Sequence, residues 1–300
     1  MGRELLVRAL MNSLLRGEVG HAYLFSGPPG SGKKTTALLF AQALNCPGPN
    51  PPCGECVSCR KTISGNHPNV FHIHPQGASI KIEQLRDLKE NLFYISTEGF
   101  KKVCLIYETD LLTLPAGNSL LKILEEPPGD LVFLLLSSRP WALLPTILSR
   151  CIHFPLRNLS DGEIGSLLDK QGTLPPAERE LLISLAEGNP GKALELLSQG
   201  GWEMKFRASE ELLQRIERSP VEDLLPLAEE FSRMEDLPEM ILSISMLYRR
   251  KLHALCSDDS SLFSIEKKCH TLIQLQTELQ ENVNRRLALE VFLLKMRGVV

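Results

Sequence analysis

The sequence has 300 residues, which is too many for one ordinary hydrophobic core, so two or three domains are expected. Apolar residues make up 43% and charged residues 23% of the chain, a composition typical of soluble globular proteins. The formal net charge of −3 disfavours a protein that works mainly by gripping DNA, so any DNA contact should be shared with partners. The apolar runs are too short to span a bilayer and the N-terminus lacks a signal-peptide pattern. We therefore expect a cytoplasmic protein with no membrane partner.

The first half of the chain alternates between strand-like and helix-like segments. The predicted strands are short apolar runs at 22–26, 70–73, 102–107, 131–137 and 152–154. The predicted helices cover 3–16, 33–44, 82–93 and 118–126. Strands that alternate with helices predict an α/β domain with a parallel sheet. The stretch 46–59, rich in proline and cysteine, is expected to interrupt regular structure.

The pattern changes after residue 156. No strand-like run follows, and helical periodicity continues to the end of the chain. A sharp turn is expected at 188–191 and a linker at 200–201. The sequence therefore predicts three domains: an α/β domain at 1–157 with its insertion at 46–59, a small helical domain at 158–202, and a helical C-terminal domain at 203–300.

A glycine-rich loop follows the first predicted strand and opens the next helix. Its residues read GPPGSGK, from Gly27 to Lys33. In this setting the backbone amides and the helix N-terminus can cradle phosphates, and the lysine can reach the β and γ positions. The candidate nucleotide-binding residues are Gly27, Gly30, Gly32, Lys33 and Thr35. The alternative interpretation is a glycine-rich turn with an incidental lysine.

Both protein contacts to Mg²⁺ are missing from this candidate site. The motif needs a serine or threonine after the lysine, but the residue is Lys34, and Thr35 is rotated about 100° round the helix. The second contact should be an aspartate at the end of a buried strand. That position holds Tyr107, whose phenol ionises only near pH 10. Magnesium binding is therefore doubtful and hydrolysis is not expected. The ammonium of Lys34 either repels the metal or points to solvent.

Four of the eight cysteines lie within fourteen residues, and they are Cys46, Cys53, Cys56 and Cys59. Four thiolates in a tight loop suffice for a closed tetrahedral zinc site. Free cysteines and an iron–sulfur cluster are the alternatives. In a ferredoxin-type run, three residues would follow the third cysteine, and then a fourth cysteine and a proline. Here Arg60 and Lys61 follow Cys59 and no such cysteine comes after them. Three further histidines are interpreted as surface or packing residues: His67, His72 and His74.

Over most of its first 200 residues the sequence resembles the clamp-loader branch of AAA+ proteins. The resemblance rests on the segment 21–27 before the phosphate loop, the four-cysteine insertion, the run NSLLKILEEPP at 118–128, and the triplet Ser149-Arg150-Cys151. It implies a RecA-like parallel sheet, a helical lid domain, an all-α collar domain and zinc on the four cysteines. It also implies that Arg150 is an arginine finger, which acts in trans on the ATP of a neighbouring subunit.

Within that family, the residues are more similar to the non-hydrolysing stator, the delta-prime type, than to the motor subunits. Lys34 and Tyr107 favour this interpretation, as does the segment 282–290. Gly191 stands where motor subunits carry a nucleotide-sensing arginine, and Lys192 lies one place away. The resemblance implies a hetero-oligomeric ring of DNA polymerase III with motor ATPase subunits and a clamp-opening delta subunit. The ring would load a sliding clamp onto primed DNA.

Two other functions stay open from the sequence. One is an active ATPase motor subunit, in which Thr35 or a water network replaces the lost metal ligands. The other is a zinc-stabilised nucleotide-binding module outside replication.

Overall fold

The structure of the chain, a computed structural model, describes residues 3–94, 101–127, 129–234, 259–280 and 283–299. Between the last segments it also describes positions 237, 240, 241, 243–245, 247 and 248. Pro128 and Asn282, which belong to the family-like motifs, lie outside the described residues. The chain divides into two compact units, Met1–Gly172 with Ala186–Glu195, and Thr173–Leu185 with Leu196–Val300.

A parallel sheet forms the centre of the first unit. Its strands are β1 (Ala22–Ser26), β2 (Val70–Ile73), β3 (Lys102–Ile106), β4 (Leu131–Ser137) and β5 (Ile152–Pro155). The described strands lie in the order β2-β3-β4-β1-β5, and each pair is parallel. Every residue of β4 is buried. Its nearly continuous apolar sequence is typical of a parallel strand that is covered on both faces. The predicted α/β fold is confirmed.

Helices connect these strands and extend beyond them. Their bounds are α1 (Arg3–Leu15), α2 (Lys33–Leu44), α3 (Val57–Ile63), α4 (Ile82–Tyr94), α5 (Leu114–Glu125), α6 (Pro145–Leu148), α7 (Asp161–Asp169), α8 (Pro176–Ala186) and α9 (Pro190–Gln199). The expectation of no regular element at 46–59 is wrong at its end, since α3 begins at Val57. The sulfur of Cys56 caps that helix by accepting the amide of Cys59. Helix α5 begins four residues before the predicted start, where Thr113 caps it.

Both faces of the sheet are covered by helices. Successive strand residues point to opposite faces, so Leu24 packs in one apolar cluster while Tyr23 and Phe25 pack in the other. Helices α4 and α5 contribute to the first cluster, and α1 and α2 contribute to the second. This layering fixes the phosphate loop, which follows β1, at the carboxyl edge of the sheet.

The described part of the second unit is helical. Its long helices are α10 (Trp202–Arg218), α11 (Leu224–Ser232), α12 (Asp259–Gln280) and α13 (Arg285–Met296). They enclose an apolar core that includes Phe231, Tyr248, Leu272 and Phe292. The helical C-terminal region agrees with the prediction, whereas the exact boundaries near 157 and 203 stay a prediction. Among the described residues, no helix is both long enough and apolar enough to cross a bilayer.

Candidate functional site

The phosphate loop joins β1 to α2 in the geometry that an anion site needs. Gly30 and Gly32 have positive φ angles of 76° and 85°, a conformation that glycine adopts at little cost. Gly32 precedes the first turn of α2, and no side chain caps that helix end. The first amides of α2 therefore have no side-chain acceptor, as is typical of helix ends that bind phosphate.

Lys33 lies at the loop, and Thr35 does not. The Lys33 ammonium donates to the carbonyl oxygens of Gly27 at 2.7 Å and Pro28 at 2.9 Å. Burial lowers the pKa of Lys33, an effect that the nearby carboxylates of Asp110 and Glu108 oppose. Thr35 is exposed on α2, one position further round the helix. The loop thus retains its lysine but gains no hydroxyl in the position of a metal ligand.

Lys34 and Tyr107, which replace the two expected magnesium contacts, lie against each other. The Lys34 ammonium is 5.6 Å from the centre of the Tyr107 ring, a cation–π distance. Lys34 is exposed, and its ammonium lies beside the residue that occupies the position expected for a metal ligand. Burial raises the pKa of Tyr107 to about 12, so its phenol is neutral and a poor metal ligand.

Two histidines of β2 and its end hold Tyr107 in place. The Tyr107 hydroxyl lies 3.0 Å from Nδ1 of His72, and its ring stacks on His74 with centres 4.1 Å apart and planes 5° from parallel. Burial, together with the charges of His74 and Lys34, lowers the pKa of His72. These contacts agree with the interpretation of both histidines as packing residues, and they fill the space around the missing aspartate.

Asp110 is a buried carboxylate that the sequence interpretation missed. Its oxygens accept from the Ser137 hydroxyl at 2.8 Å, the Ser138 amide at 3.1 Å and Nε of Arg139 at 3.1 Å. Burial favours the neutral acid, but these donors outweigh it and lower the pKa of Asp110. Asp110 therefore ties the end of β3 to the end of β4. Glu108, the residue after Tyr107, has a positive φ of 48° and is exposed.

The turn that carries the expected sensor position lies on the phosphate loop. The amide of Gly191 donates to the carbonyl of Gly30 at 2.9 Å. The amide of Lys192 donates to the side chain of Asn189, within the first turn of α9. Gly191, the position at which the resemblance to the family leads us to expect a sensor residue, thus makes a backbone contact with the loop.

The four predicted cysteines come together at the end of α2 and the start of α3. The sulfur atoms of Cys46, Cys53, Cys56 and Cys59 all lie within 4.8 Å of one another. Tetrahedral zinc with bonds of about 2.3 Å places its sulfurs roughly 3.8 Å apart, so small movements complete such a site. The donor set and its spacing therefore fit a metal ion such as zinc.

Backbone amides support the sulfur cluster. Cys46 accepts from the amides of Gly48 and Cys53 at 3.4 Å, and Cys53 accepts from Cys56 at 3.3 Å. The amides of Cys56 and Glu55 lower the pKa of the Cys53 thiol to about 6, whereas burial raises that of Cys59 to about 12. The buried side chain of Gln42 on α2 donates to the Cys59 carbonyl at 3.0 Å and fixes the cluster against that helix.

His67 packs beside the cluster and is not one of its ligands. Its Nε2 lies 3.0 Å from the Ser58 hydroxyl, and its Nδ1 accepts the amide of Asn69 at 3.1 Å. The second bond requires that Nδ1 carry no proton, so Nε2 donates to Ser58. Burial lowers the pKa of His67, which keeps this neutral form.

Arg150 lies at the opposite edge of the sheet from the phosphate loop. Ile152 pairs with Tyr23 at the start of β1, whereas the loop follows Ser26 at its end. At about 3.3 Å per residue, Tyr23 and Ser26 are roughly 10 Å apart along β1, and Arg150 lies two residues before Ile152. The Arg150 guanidinium contacts Glu125 at 2.6 Å and the carbonyl of Thr146 at 3.0 Å, and its side chain is 35% exposed.

Comparison with known proteins places this chain in a family. A family model described as DNA polymerase III, delta subunit, matches residues 2–160. The chain belongs to this family of clamp-loader proteins. It is 38% identical over 191 residues to DNA polymerase III subunit delta' of Bacillus subtilis, covering 63% of this chain and 57% of the relative. It is 39% identical over 219 residues to subunit delta' of Pseudomonas aeruginosa, covering 69% and 66%.

Relatives of this clamp-loader protein also include DNA polymerase III subunits with names other than delta'. DNA polymerase III subunit tau of Bacillus subtilis is 34% identical over 206 residues, covering 66% of this chain and 36% of the relative. The chain thus spans between about a third and two thirds of these relatives. The sequence identities to the delta' and tau subunits are similar, so they do not distinguish the two subunit types. We therefore base that distinction on the residues around the phosphate loop.

Solved structures agree with the fold of this clamp-loader protein. A gamma subunit-related protein of DNA polymerase III from Thermotoga maritima has a TM-score of 0.51 at 23% identity, with 98% of each chain covered. A RuvB variant from the same organism has a TM-score of 0.50 at 17% identity, with 83% and 78% covered. At these identities the likeness shows the AAA+ fold alone.

Proposed function

We propose that this chain is a delta-prime-type subunit that hydrolyses no ATP and serves as the stator of its clamp loader. The observation that carries the proposal is the contact between Lys34 and Tyr107 at the expected metal site. An ammonium there repels a divalent cation by up to ~4 kcal/mol per pair of charges at 4 Å with an effective dielectric of 20. A neutral phenol supplies no compensating ligand. The alternative of an active motor subunit is therefore disfavoured.

Nucleotide binding without magnesium is compatible with this loop. The amides around Gly30 and Gly32 remain oriented for phosphate, and Lys33 and Lys34 supply two positive charges. ATP or ADP would therefore bind through Gly27, Gly30, Gly32 and Lys33, with no metal bridge and no role for Thr35. Such a subunit can hold a nucleotide as a structural ligand while lacking the means to hydrolyse it.

Arg150 supplies the arginine finger of a neighbouring motor subunit in this proposal. Its distance from its own phosphate loop supports a role on another chain. An inserted guanidinium stabilises the charge that spreads over the γ-phosphate and accelerates hydrolysis by roughly 10³–10⁵. The pair with Glu125 is partly exposed, so it is worth at most ~1 kcal/mol and does not prevent Arg150 from swinging to a partner.

Zinc is the metal that we assign to Cys46, Cys53, Cys56 and Cys59. A closed set of four thiolates leaves no open position for a substrate, so the metal would cross-link the loop and do no catalysis. The loop has few apolar side chains of its own to bury, and cross-linking through sulfur replaces a hydrophobic core.

The second unit is proposed to assemble the ring with the motor ATPase subunits and the clamp-opening delta subunit. Its last helix buries Leu289, Phe292 and Leu293 in its own core, but Leu287 and Val291 are 56% and 38% exposed. These two residues lie four apart, so they form one apolar stripe for a partner helix. Through that ring the chain would reach the sliding clamp and primed DNA.

Steady-state ATP hydrolysis tests the proposal, first with the chain alone and then with motor subunits added. We expect no turnover by the isolated chain and no difference between it and Lys33→Ala. In the mixture, the rate of hydrolysis should depend on the amount of motor subunits. It should be unchanged when this chain carries Lys33→Ala. Turnover on the order of 1 s⁻¹ by the isolated chain, abolished by Lys33→Ala, would show that the chain is a motor.

A further inference from the structure

The turn between α8 and α9 makes two donor contacts with the phosphate loop. Nδ2 of Asn189 donates to the carbonyl of Pro29 at 2.8 Å. The amide of Gly191 donates to the carbonyl of Gly30 at 2.9 Å. The remaining oxygen of Asn189 accepts the amide of Lys192 at 3.1 Å and so caps α9. One asparagine thus starts a helix and holds the loop.

The turn lies so close to the phosphate loop that glycine is required at both contact positions. A Cβ atom on Gly30 would lie 2.4 Å from Oδ1 of Asn189, and one on Gly191 would lie 2.7 Å from Cα of Gly30. Any side chain at 191 therefore displaces the turn or the loop. An arginine in that position is therefore incompatible with this contact.

The turn is itself fixed from its other side. The carbonyl of Gly188 accepts the amide of Leu159 at 2.7 Å, and the carbonyl of Glu187 accepts Nδ2 of Asn158 at 2.9 Å. A Cβ atom on Gly188 would lie 2.3 Å from the carbonyl oxygen of Leu159. The donors that face the phosphate loop are therefore carried on a backbone with little freedom.

We propose that Asn189 and the amide of Gly191 are positioning groups for the phosphate loop. They hold the carbonyls of Pro29 and Gly30 toward the turn. In a planar trans peptide the N–H points opposite to the carbonyl, so the amide of Gly30 is directed away from the turn. The loop is thus kept in one shape before any ligand arrives, without contact between Asn189 and the phosphate. The part that concerns nucleotide rests on the proposed function.

Hydrogen exchange of the full chain tests this positioning role directly. Asn189→Ser keeps a helix-capping oxygen but is too short to reach Pro29, and Gly191→Ala adds the colliding Cβ. We expect amide exchange across 27–34 to rise about fivefold in each variant, the effect of losing one ordinary hydrogen bond. The affinity for a fluorescent ADP in EDTA should fall by a similar factor. Gly162→Ala is the matched control, since a Cβ there meets no atom within 4 Å.

The exchange measurement decides the proposal whether or not nucleotide binds. Exchange in Asn189→Ser that stays within twofold of the wild type across 27–34 would overturn it. An equal rise in the central strand at 131–137 would also overturn it, because the contact would then stabilise the whole unit. If the wild type fails to bind fluorescent ADP, the nucleotide part of the proposed function fails. A local rise in exchange in the variants would still support the positioning role of Asn189 and Gly191.

Discussion

Arg150 is held by weak contacts, which makes its proposed role separable from folding. Replacing it with alanine removes a partly exposed ion pair with Glu125, so the free energy of unfolding should fall by less than ~1 kcal/mol. Hydrolysis at one neighbouring motor site should nevertheless fall by at least ~10³. Arg150→Lys should be nearly as inactive, since an ammonium lacks the planar fork that contacts two phosphate oxygens.

Single-site hydrolysis and clamp loading on primed DNA measure this effect. The motor subunits used should have their other sites disabled, because those sites would otherwise mask the loss. Glu125→Gln is the control: it breaks the same ion pair but keeps the guanidinium, so both activities should stay near wild type. Wild-type activity at that one site in Arg150→Ala would make Arg150 a structural residue.

The shifted pKa of Asp110 leads to a second prediction for a single residue, about how the free energy of unfolding depends on pH. Its pKa is lower in the folded protein than the ordinary value near 3.9, so the ionised carboxylate stabilises the fold above that value. This stabilisation is lost as the pH falls through the lower, folded pKa. Asp110→Asn should therefore reduce the free energy of unfolding by about 1–3 kcal/mol at pH 7, and the difference should shrink as the pH falls through the lowered pKa of Asp110.

Urea unfolding at a series of pH values measures that difference. Asp130→Asn is the control, because Asp130 is 86% exposed and pairs with Lys101 only at 3.8 Å. Its unfolding curves should match those of the wild type at every pH. If Asp110→Asn lowered the free energy of unfolding by the same amount at every pH, the loss would come from the changed side-chain geometry and not from the lost charge.

At the scale of single elements, α3 and the loop before it should depend on the metal. Protein purified without added metal should contain one zinc per chain by elemental analysis. Cys53→Ser should lose the metal and unfold α3, since a seven-residue helix is not stable alone. Cys104→Ser, a buried cysteine of β3 outside the cluster, should keep its zinc. Iron, with absorption near 400 nm, would instead favour the cluster alternative.

At the scale of the whole molecule, ring assembly is predicted to use the exposed stripe of α13. Leu287→Glu with Val291→Glu should abolish complex formation with the motor and delta subunits, measured by gel filtration, while circular dichroism stays unchanged. Val221→Glu alters another exposed apolar residue of the second unit and should assemble normally. Normal assembly of the double variant would mean that the ring uses a different surface.

The sequence predicts the layers of the fold well because apolar runs and glycine turns are local signals. Helix α2 has the predicted bounds, and every predicted strand is present. Helix α3 was missed because its cap is a cysteine sulfur, which ordinary capping patterns do not include. The cysteine cluster could be predicted from the spacing of its four cysteines along the chain. The contacts of Asp110 with Arg139 and of Asn189 with Pro29 were not, since they join residues 29 and 160 positions apart.

In the proposed stator, the contact between Lys34 and Tyr107 would also make a loss of catalysis hard to reverse. A single change of Lys34 to threonine restores one hydroxyl but leaves an uncharged ring where the second ligand should be. A single change of Tyr107 to aspartate places a carboxylate beside an ammonium, and the two would pair with each other. Neither step alone recreates a magnesium site, so a mutational path back to an ATPase must cross an intermediate with no gain in activity. In the proposed stator, reversal would therefore require both residues to change together.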